Sequence, residues 1–353
     1  MKKRILGICC LITSMIFAGC GNTTATEENT QEITAETEAI TEVDSIKIVT
    51  TSFHEYDWLT QVIGEQEIFE VSLLIDSGID LHSYEPTVDD IANITSADLF
   101  IYNGGESDAW VDDILALNTE LNTINVIEVL DDMVQMSVLV EGMEESEDHD
   151  HDEDATDEDH DHDHDEDTTD EEHNHEDEHI WLSLKNAAVV VAYFADTLST
   201  LDSDNATIYE ENAEAYIAEL EALDQAYETM VSEASRDTII VTDRFPFLYL
   251  FTDYGIQYYA AFEGCSAETE ASFETVIFLA QKAEEFDMNY LVIVENGLEA
   301  LATTIASNTG DSDQEILQLN SIQSVTRADI DAGTTYYSLM ESNLEILSLA
   351  LAE

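Results

Sequence analysis

The sequence predicts an α/β protein of two lobes, each a mostly parallel sheet flanked by helices, joined by one long rigid helix. Short apolar runs typical of buried strands alternate with helical periodicity, first from residue 46 and again from residue 238. Such alternation favours βαβ units whose parallel sheet is covered on both faces. Between the two sets, residues 206–232 carry one apolar stripe at helical spacing, about 40 Å long at about 1.5 Å per residue.

The expected elements follow in order along the chain. In the first lobe, strands are predicted at 46–50, 69–75, 99–102 and 126–129, and helices at 56–63, 87–96 and 110–117. A helix at 186–198 and the linking helix precede second-lobe strands at 238–242, 256–262, 290–294 and 316–319. Because ligands of such sheets bind beyond the carboxyl ends of the strands, a site is expected in the cleft between the lobes.

The first residues indicate export and a lipid anchor. A basic start is followed by an apolar run, residues 5–18, that is too short to span a membrane. The end of the run overlaps a segment, residues 17–21, that contains Cys20 and resembles the lipobox of bacterial lipoproteins. An ordinary signal peptide with a chance cysteine is the alternative. Cys20 is expected to be the lipidated N-terminus of an extracytoplasmic protein held at the bacterial cell membrane.

The predicted organisation has five parts. They are a signal peptide at 1–19, a flexible tether at 20–45, an N-terminal lobe at 46–200, a linking helix at 201–233 and a C-terminal lobe at 234–353. The tether is rich in Thr and Glu and has no aromatic residues. The chain has 9 Lys and Arg against 80 Asp and Glu, a formal net charge of -71. This balance argues against nucleic acid or an anionic membrane surface as a partner and favours a cation.

One segment of the first lobe combines histidine with acidic residues. Residues 144–178 contain 22 Asp or Glu and no Lys or Arg, which predicts a solvated, disordered loop. Its histidines are His149, His151, His160, His162, His164, His173 and His175. Since neutral imidazole binds zinc, we interpret the loop as an auxiliary metal-collecting segment; an acidic spacer is the alternative.

Two further histidines lie where ordered structure is expected. His82 is on the loop after the second strand, and His179 lies where the apolar pattern resumes after the acidic segment. Residues 80–90 resemble the signature D-P-H-x-Y-E-P-T, and residues 178–184 resemble D-P-H-x-W-L-S-P. Both signatures are typical of the metal-ABC-transporter substrate-binding lipoproteins of cluster A-I, and the acidic, histidine-rich loop is typical of their zinc-binding branch, the ZnuA and AdcA type.

The resemblance extends from residue 46 to the end, including residues 103–106 and 335–347. It implies two lobes, a rigid connecting helix and one metal held between the lobes. It also implies a monomer without catalytic activity that captures Zn²⁺ and delivers it to an ABC permease and its ATPase. His82 and His179 carry over as the first two metal ligands.

The other two ligands of the family do not carry over directly. The place of the third falls on Arg244, which cannot ligate. The neighbouring Asp243 is therefore the expected third ligand, and Asp243→Ala is predicted to weaken zinc binding at least about tenfold. The fourth place falls in residues 319–323, where the candidates are the amides Asn320 and Gln323; Glu295 or water are further possibilities.

Alternative functions stay open at this point. A manganese-binding receptor or adhesin could use the same scaffold, but two imidazoles favour zinc because Mn²⁺ prefers oxygen ligands. A metal-dependent hydrolase would need an open coordination position and a general base, such as Glu106 or Glu270. His54 is expected at the surface or the rim of the cleft. Cys265 is a possible soft ligand but is expected to be buried and structural.

Overall fold

A computed structural model of the chain describes residues 45–144, 175–266, 271–297, 299–310 and 313–352. The predicted signal peptide, Cys20 and the histidines from His149 to His173 lie outside these residues. Within the described part, no helix combines the length and apolar character that crossing a membrane requires.

The N-terminal lobe is a four-stranded parallel sheet with the strand order β2-β1-β3-β4. The strands are β1 Ile46–Thr50, β2 Phe69–Leu73, β3 Leu99–Tyr102 and β4 Thr123–Asn125. The helices of this lobe are α1 Phe53–Ile63, α2 Val88–Thr95, α3 Trp110–Leu117 and α4 Val126–Leu130. In the register, Ile48 of β1 pairs with Val71 on one side and with Leu99 on the other.

Two long helices, α5 Leu184–Leu201 and α6 Ala206–Glu233, connect the lobes. The apolar stripe predicted for α6 is its buried face, as shown by the buried side chains Tyr209, Tyr216, Leu220, Leu223 and Tyr227. α6 contains 28 residues, which corresponds to roughly 42 Å. Its Asn212 donates a hydrogen bond to the Val62 carbonyl at the end of α1, so α6 is attached directly to the N-terminal lobe.

The C-terminal lobe repeats the parallel arrangement, with the strand order β6-β5-β7-β8. The strands are β5 Thr238–Phe245, β6 Gln257–Glu263, β7 Tyr290–Val294 and β8 Glu315–Leu319. The helices are α7 Leu248–Tyr254, α8 Phe273–Glu285, α9 Glu299–Ser307, α10 Arg327–Asp331 and α11 Tyr336–Ala350. The hydroxyl of Tyr227 in α6 donates to the Met340 carbonyl in α11, so the linking helix also contacts this lobe. The predicted two-lobe α/β class is confirmed.

Three differences from the predicted elements bear on the site. Residues 126–129 form helix α4 and not a strand, because the Asn125 side chain accepts the Glu128 N–H and caps a helix there. α1 begins three residues early, at Phe53, since Ser52 and Glu55 form a capping box. The end of the acidic segment is ordered: residues 175–177 form backbone hydrogen bonds with residues 135–137.

His54 lies in the core and not at the surface, so this expectation was wrong. Its side chain is 1% exposed and stacks on Trp181 with ring centroids 4.5 Å apart. It also contacts the edge of Trp58. Burial lowers the pKa of His54 to about 3, so the ring is neutral at physiological pH. Its position behind Trp181 supports the segment that carries His179.

Candidate metal centre

His82 lies just beyond the carboxyl end of β2, where a parallel sheet presents side chains to a ligand. It sits in a single 3₁₀ turn, Leu81–Ser83, which Asp80 caps by accepting the His82 N–H at 3.1 Å. The imidazole is 14% exposed, so one edge of the ring remains open to the cleft.

His179 is held by the residue pair that precedes it. The Asp177 carboxylate accepts both the His179 backbone N–H, at 2.9 Å, and the Nδ1 hydrogen, at 3.0 Å. Asp177 is itself fixed because its N–H bonds to the Gln135 carbonyl and its carbonyl accepts the Tyr249 hydroxyl. The His179 ring is fully buried and precedes a short 3₁₀ turn, Ile180–Leu182.

The structure brings these two imidazoles together. The Nε2 atoms of His82 and His179 are 3.3 Å apart. Two nitrogens bound to one tetrahedral zinc at about 2.0–2.1 Å are separated by about 3.3 Å. The pair therefore already has the spacing of two ligands on a single ion.

A buried carboxylate also orients His82. Glu178 Oε1 lies 2.9 Å from His82 Nδ1, and the Ser107 hydroxyl lies 2.6 Å from the same nitrogen. Ser107 also donates its N–H and its hydroxyl to Glu178. The bonds from His82 and Ser107 more than offset burial and hold the pKa of Glu178 at about 2. Gly105 has a φ of 82°, and a Cβ there would lie 2.6 Å from Glu178 Oε2, so a glycine is needed for this approach.

The hydrogen bonds of His82 and His179 determine which ring nitrogen of each can bind a metal ion. Each Nδ1 faces a carboxylate and therefore carries the proton, which leaves the Nε2 lone pairs of His82 and His179 pointing at one another. Facing lone pairs require a proton or a cation between them. Burial opposes protonation of His179, but the carboxylates of Asp177 and Glu178 raise its pKa above the ordinary value. Histidine oriented by a carboxylate on its other nitrogen is the usual arrangement around a protein-bound metal.

Cys265 joins this pair from the other lobe, on the turn after β6. One ligand atom from each of His82, His179 and Cys265 lies within 4.8 Å of the others. Among the described residues, a metal ion could be held by three or more His, Cys, Asp or Glu side chains at this place, and the three side chains are those of His82, His179 and Cys265. The thiol donates to Glu178 Oε1 at 3.5 Å. Burial and the Glu178 carboxylate raise the pKa of the thiol. Cys265 was expected to be structural; it is only partly buried and contacts the centre.

Of the C-lobe ligands predicted from the sequence, Gln323 contacts the histidine pair. Its amide nitrogen lies 3.2 Å from His82 Nε2. The Glu295 carboxylate instead accepts the Ser321 N–H and hydroxyl, both at 2.6 Å. The Asn320 side chain accepts the Ile322 N–H at 2.7 Å. Glu295 and Asn320 therefore stabilise the loop after β8 that positions Gln323.

Asp243 and Arg244 occupy the bulge at the end of β5, where the pairing register shifts. Asp243 accepts the Arg244 N–H at 2.8 Å, and its other oxygen is buried against Gly297. Asp243 is not part of the group of ligand atoms around His82 and His179. Arg244 reaches across to Asp80, with 2.8 Å between Nη1 and Oδ2. Arg244 thereby lowers the pKa of Asp80 in spite of burial, and its positive charge is paired with a carboxylate of the other lobe.

Several residues of this centre were not predicted. Asp177, Glu178 and Ser107 orient the two imidazoles, yet nothing in the acidic run distinguishes 177 and 178 from the carboxylates before them. The available signal was their position immediately before His179, at the point where the apolar pattern resumes. For Cys265, the available signal was its position after a glycine at the end of a predicted strand, where side chains face the cleft.

Comparison with known proteins places this chain in a family. The sequence model of ZnuA, described as "Zinc-uptake complex component A periplasmic", matches residues 48–350. The zinc-binding lipoprotein AdcA of Streptococcus pneumoniae is 34% identical over 302 residues, which is 86% of this chain and 55% of AdcA. The high-affinity zinc uptake system protein ZnuA of Bacillus subtilis is 30% identical over 339 residues, 96% of this chain and 94% of that protein.

Solved structures agree with the sequence matches. The crystal structure of the Zn(II)-bound ZnuA-like domain of S. pneumoniae AdcA superposes with a TM-score of 0.65 at 29% identity. It covers 88% of this chain and 100% of that domain. This chain thus spans about half the length of the AdcA relative, 55%, and corresponds to its ZnuA-like part. The match to the family model covers most of the chain, and the chain belongs to the ZnuA family of zinc-uptake complex components.

Proposed function

We propose that this protein is an extracytoplasmic zinc-binding lipoprotein that captures Zn²⁺ between its two lobes and delivers it to an ABC permease. The observation that carries the proposal is the imidazole pair, whose Nε2 atoms face each other at 3.3 Å. Each Nδ1 is tied to a carboxylate, at 3.0 Å for His179 and 2.9 Å for His82. The names of the ZnuA and AdcA relatives support zinc as the transported ion.

The arrangement suits binding and not catalysis. His82, His179 and the second-lobe side chains converge on one point, so a bound ion is enclosed by ligands from both lobes. Trp181 Nε1 donates to the Ser321 carbonyl at 2.8 Å, which fixes the two ligand-bearing loops against each other. Zinc bound in this way is cargo, and release requires only that the C-lobe side chains withdraw from the pair.

The proposal extends to location and partners. Residues 1–19 are the export signal, Cys20 carries the lipid, and residues 20–45 are the tether to the cell membrane. The folded part then consists of the N-terminal lobe to residue 200, the linking helix at 201–233 and the C-terminal lobe from 234. The protein acts as a monomer with a permease and an ATPase. The histidine-rich loop collects zinc and raises its local concentration, since a dense negative potential speeds cation encounter.

Zinc binding can be tested on purified protein by competition titration. The metal-free protein should bind one Zn²⁺ tightly, and Zn²⁺ should displace Mn²⁺ at equal concentration, because imidazole favours zinc. His82→Ala and His179→Ala should each abolish tight binding. His175→Ala is a control that should keep the one tight site and change only the weak binding of the loop, and its backbone carbonyl still accepts the Ser137 N–H. A preference for Mn²⁺, or tight zinc binding in both site variants, would contradict the proposal.

A further inference from the structure

The second lobe must complete any zinc site built on the histidine pair. Zinc in a closed site has four ligands, and His82 and His179 supply two. Arg244, at the place where the family has its third ligand, is paired with Asp80 and cannot coordinate a cation. The Asp243 carboxylate is directed toward Gly297. Among the residues that the structure describes, the C-lobe side chains that reach the pair are Cys265 and Gln323.

We propose that the thiolate of Cys265 is the third zinc ligand, so that the centre is a His₂Cys site rather than the imidazole- and oxygen-based set that the family pattern implies. This inference rests on the proposed function, because it takes His82 and His179 as ligands of the same ion.

The position of the thiol supports direct coordination. In a tetrahedral zinc site with bonds of about 2.3 Å to sulfur and about 2.0–2.1 Å to nitrogen, sulfur and nitrogen are about 3.6 Å apart. The ligand atoms of His82, His179 and Cys265 lie within 4.8 Å of one another. Shortening the sulfur–nitrogen distances by about 1 Å would bring the Cys265 sulfur within bonding distance of a zinc ion held by the two imidazoles. A rotation of the Cys265 side chain can produce a change of this size.

The backbone before Cys265 is adapted to this approach. A Cβ on Gly264 would lie 2.8 Å from the His179 ring and 2.9 Å from the Phe245 carbonyl. Only glycine lets the turn after β6 lie flat against the imidazole while Cys265 faces the cleft. Because the Gly264 backbone packs against the His179 ring, the fold keeps the Cys265 thiol close to His179, although the two residues belong to different lobes.

Glu178 connects the thiol with the first-lobe ligands. Its Oε1 accepts the Cys265 thiol hydrogen at 3.5 Å and also lies 2.9 Å from His82 Nδ1. On coordination, the S–H bond breaks as the Zn–S bond forms, and the proton is released to solvent. No oxidant or reductant takes part in this exchange.

Gln323 provides the fourth position. Its amide nitrogen lies 3.2 Å from His82 Nε2, and a half-turn about the last side-chain bond places the carbonyl oxygen there instead. A neutral amide is a weak zinc ligand, so a thiolate is the single charged donor in the set. Sulfur also makes the site softer, which favours Zn²⁺ over Mn²⁺ more than an oxygen donor would.

Cobalt substitution tests the proposal, because thiolate bound to Co²⁺ gives an intense near-ultraviolet charge-transfer absorption that imidazole and oxygen ligands do not. The full chain is titrated with CoCl₂ and then with ZnCl₂. Wild type should show the charge-transfer band, and zinc should remove it. Cys265→Ser and Cys265→Ala should lack the band and bind zinc at least tenfold more weakly. Cys20→Ser should keep it.

The outcomes separate this inference from the proposed function. If wild type binds cobalt in a His82-dependent manner without the band, or if Cys265→Ser keeps it, Cys265 is not a ligand while the zinc receptor stands. If wild type binds neither metal tightly, both proposals are overturned. Circular dichroism of the metal-free variants checks that each is folded, and Cys265→Ala shows whether loss of the band depends on the residue introduced.

Discussion

Removal of the Asp177 carboxylate should weaken zinc binding without unfolding the protein. This side chain accepts two hydrogen bonds from His179, one from the backbone N–H and one from Nδ1. The backbone of Asp177 is held separately by the Gln135 carbonyl and the Tyr249 hydroxyl, at 2.8 and 2.7 Å. Asp177→Ala therefore removes the hydrogen bonds that orient the His179 imidazole but leaves the backbone conformation unchanged.

The size of the effect follows from these contacts. Loss of a carboxylate that orients a metal-bound histidine typically costs about 10–100-fold in affinity, or about 1.4–2.7 kcal/mol. Asp177→Asn keeps an acceptor oxygen and loses the charge. Charge-assisted hydrogen bonds are about twice as strong as neutral ones, so Asn should cost about half of that free energy, about three- to tenfold in affinity.

The assay is a competition titration of metal-free protein with zinc against a chromophoric chelator. Asp202→Ala is the matched control, because this carboxylate also accepts two hydrogen bonds, from Tyr209 and Asn205, but at the junction of α5 and α6. The control should lose thermal stability and keep full affinity. Wild-type affinity in a folded Asp177→Ala protein would refute the argument that this carboxylate orients a ligand.

Four further outcomes are expected. Because the pKa of His54 is about 3 in the fold and about 6.5 unfolded, stability should fall as pH drops from 6.5 to 3; chemical denaturation should show a shallower fall for His54→Phe. Deletion of residues 147–172 should remove weak zinc sites and retain one tight site by calorimetry. In contrast to the tenfold loss expected from sequence alone, Asp243→Ala should leave zinc affinity unchanged in competition titration while lowering the melting temperature, because this carboxylate contacts the Arg244 N–H and Gly297. Gln323→Glu should bind zinc at least about tenfold more tightly than Gln323→Ala, since it adds a charged oxygen ligand beside His82.

The fold was predictable because its signals are local and repeated. Alternating apolar runs identified every strand of the two sheets except β4, and the stripe from Tyr209 to Tyr227 identified α6 and its buried face. The misassigned segment, α4, is rich in β-branched residues, and a single cap at Asn125 outweighs that preference. Short elements are decided by such individual contacts, which composition does not reveal.

The proximity of His82 and His179 was also predictable, because both lie within motifs that the family resemblance places beside the cleft. The residues that orient them were not. Glu178 is one carboxylate among many in its segment, and its role depends on the Gly104–Gly105 turn, which lets it approach Ser107. His54 was misplaced for a related reason, since a neutral imidazole packs in a core as readily as it faces solvent.

The C-lobe half could not be predicted from sequence because of a local irregularity in β5. Along a regular strand, successive side chains alternate between the faces, so Asp243 and Arg244 would be expected to point in opposite directions, with Asp243 available to the cleft. The register shift between Val241 and Arg244 breaks this alternation. It directs Asp243 toward Gly297 and sends Arg244 across the cleft to Asp80. The place of the family's third ligand is thereby filled by an ion pair between the lobes, and the turn that carries Cys265 is left to present a donor atom to the histidine pair.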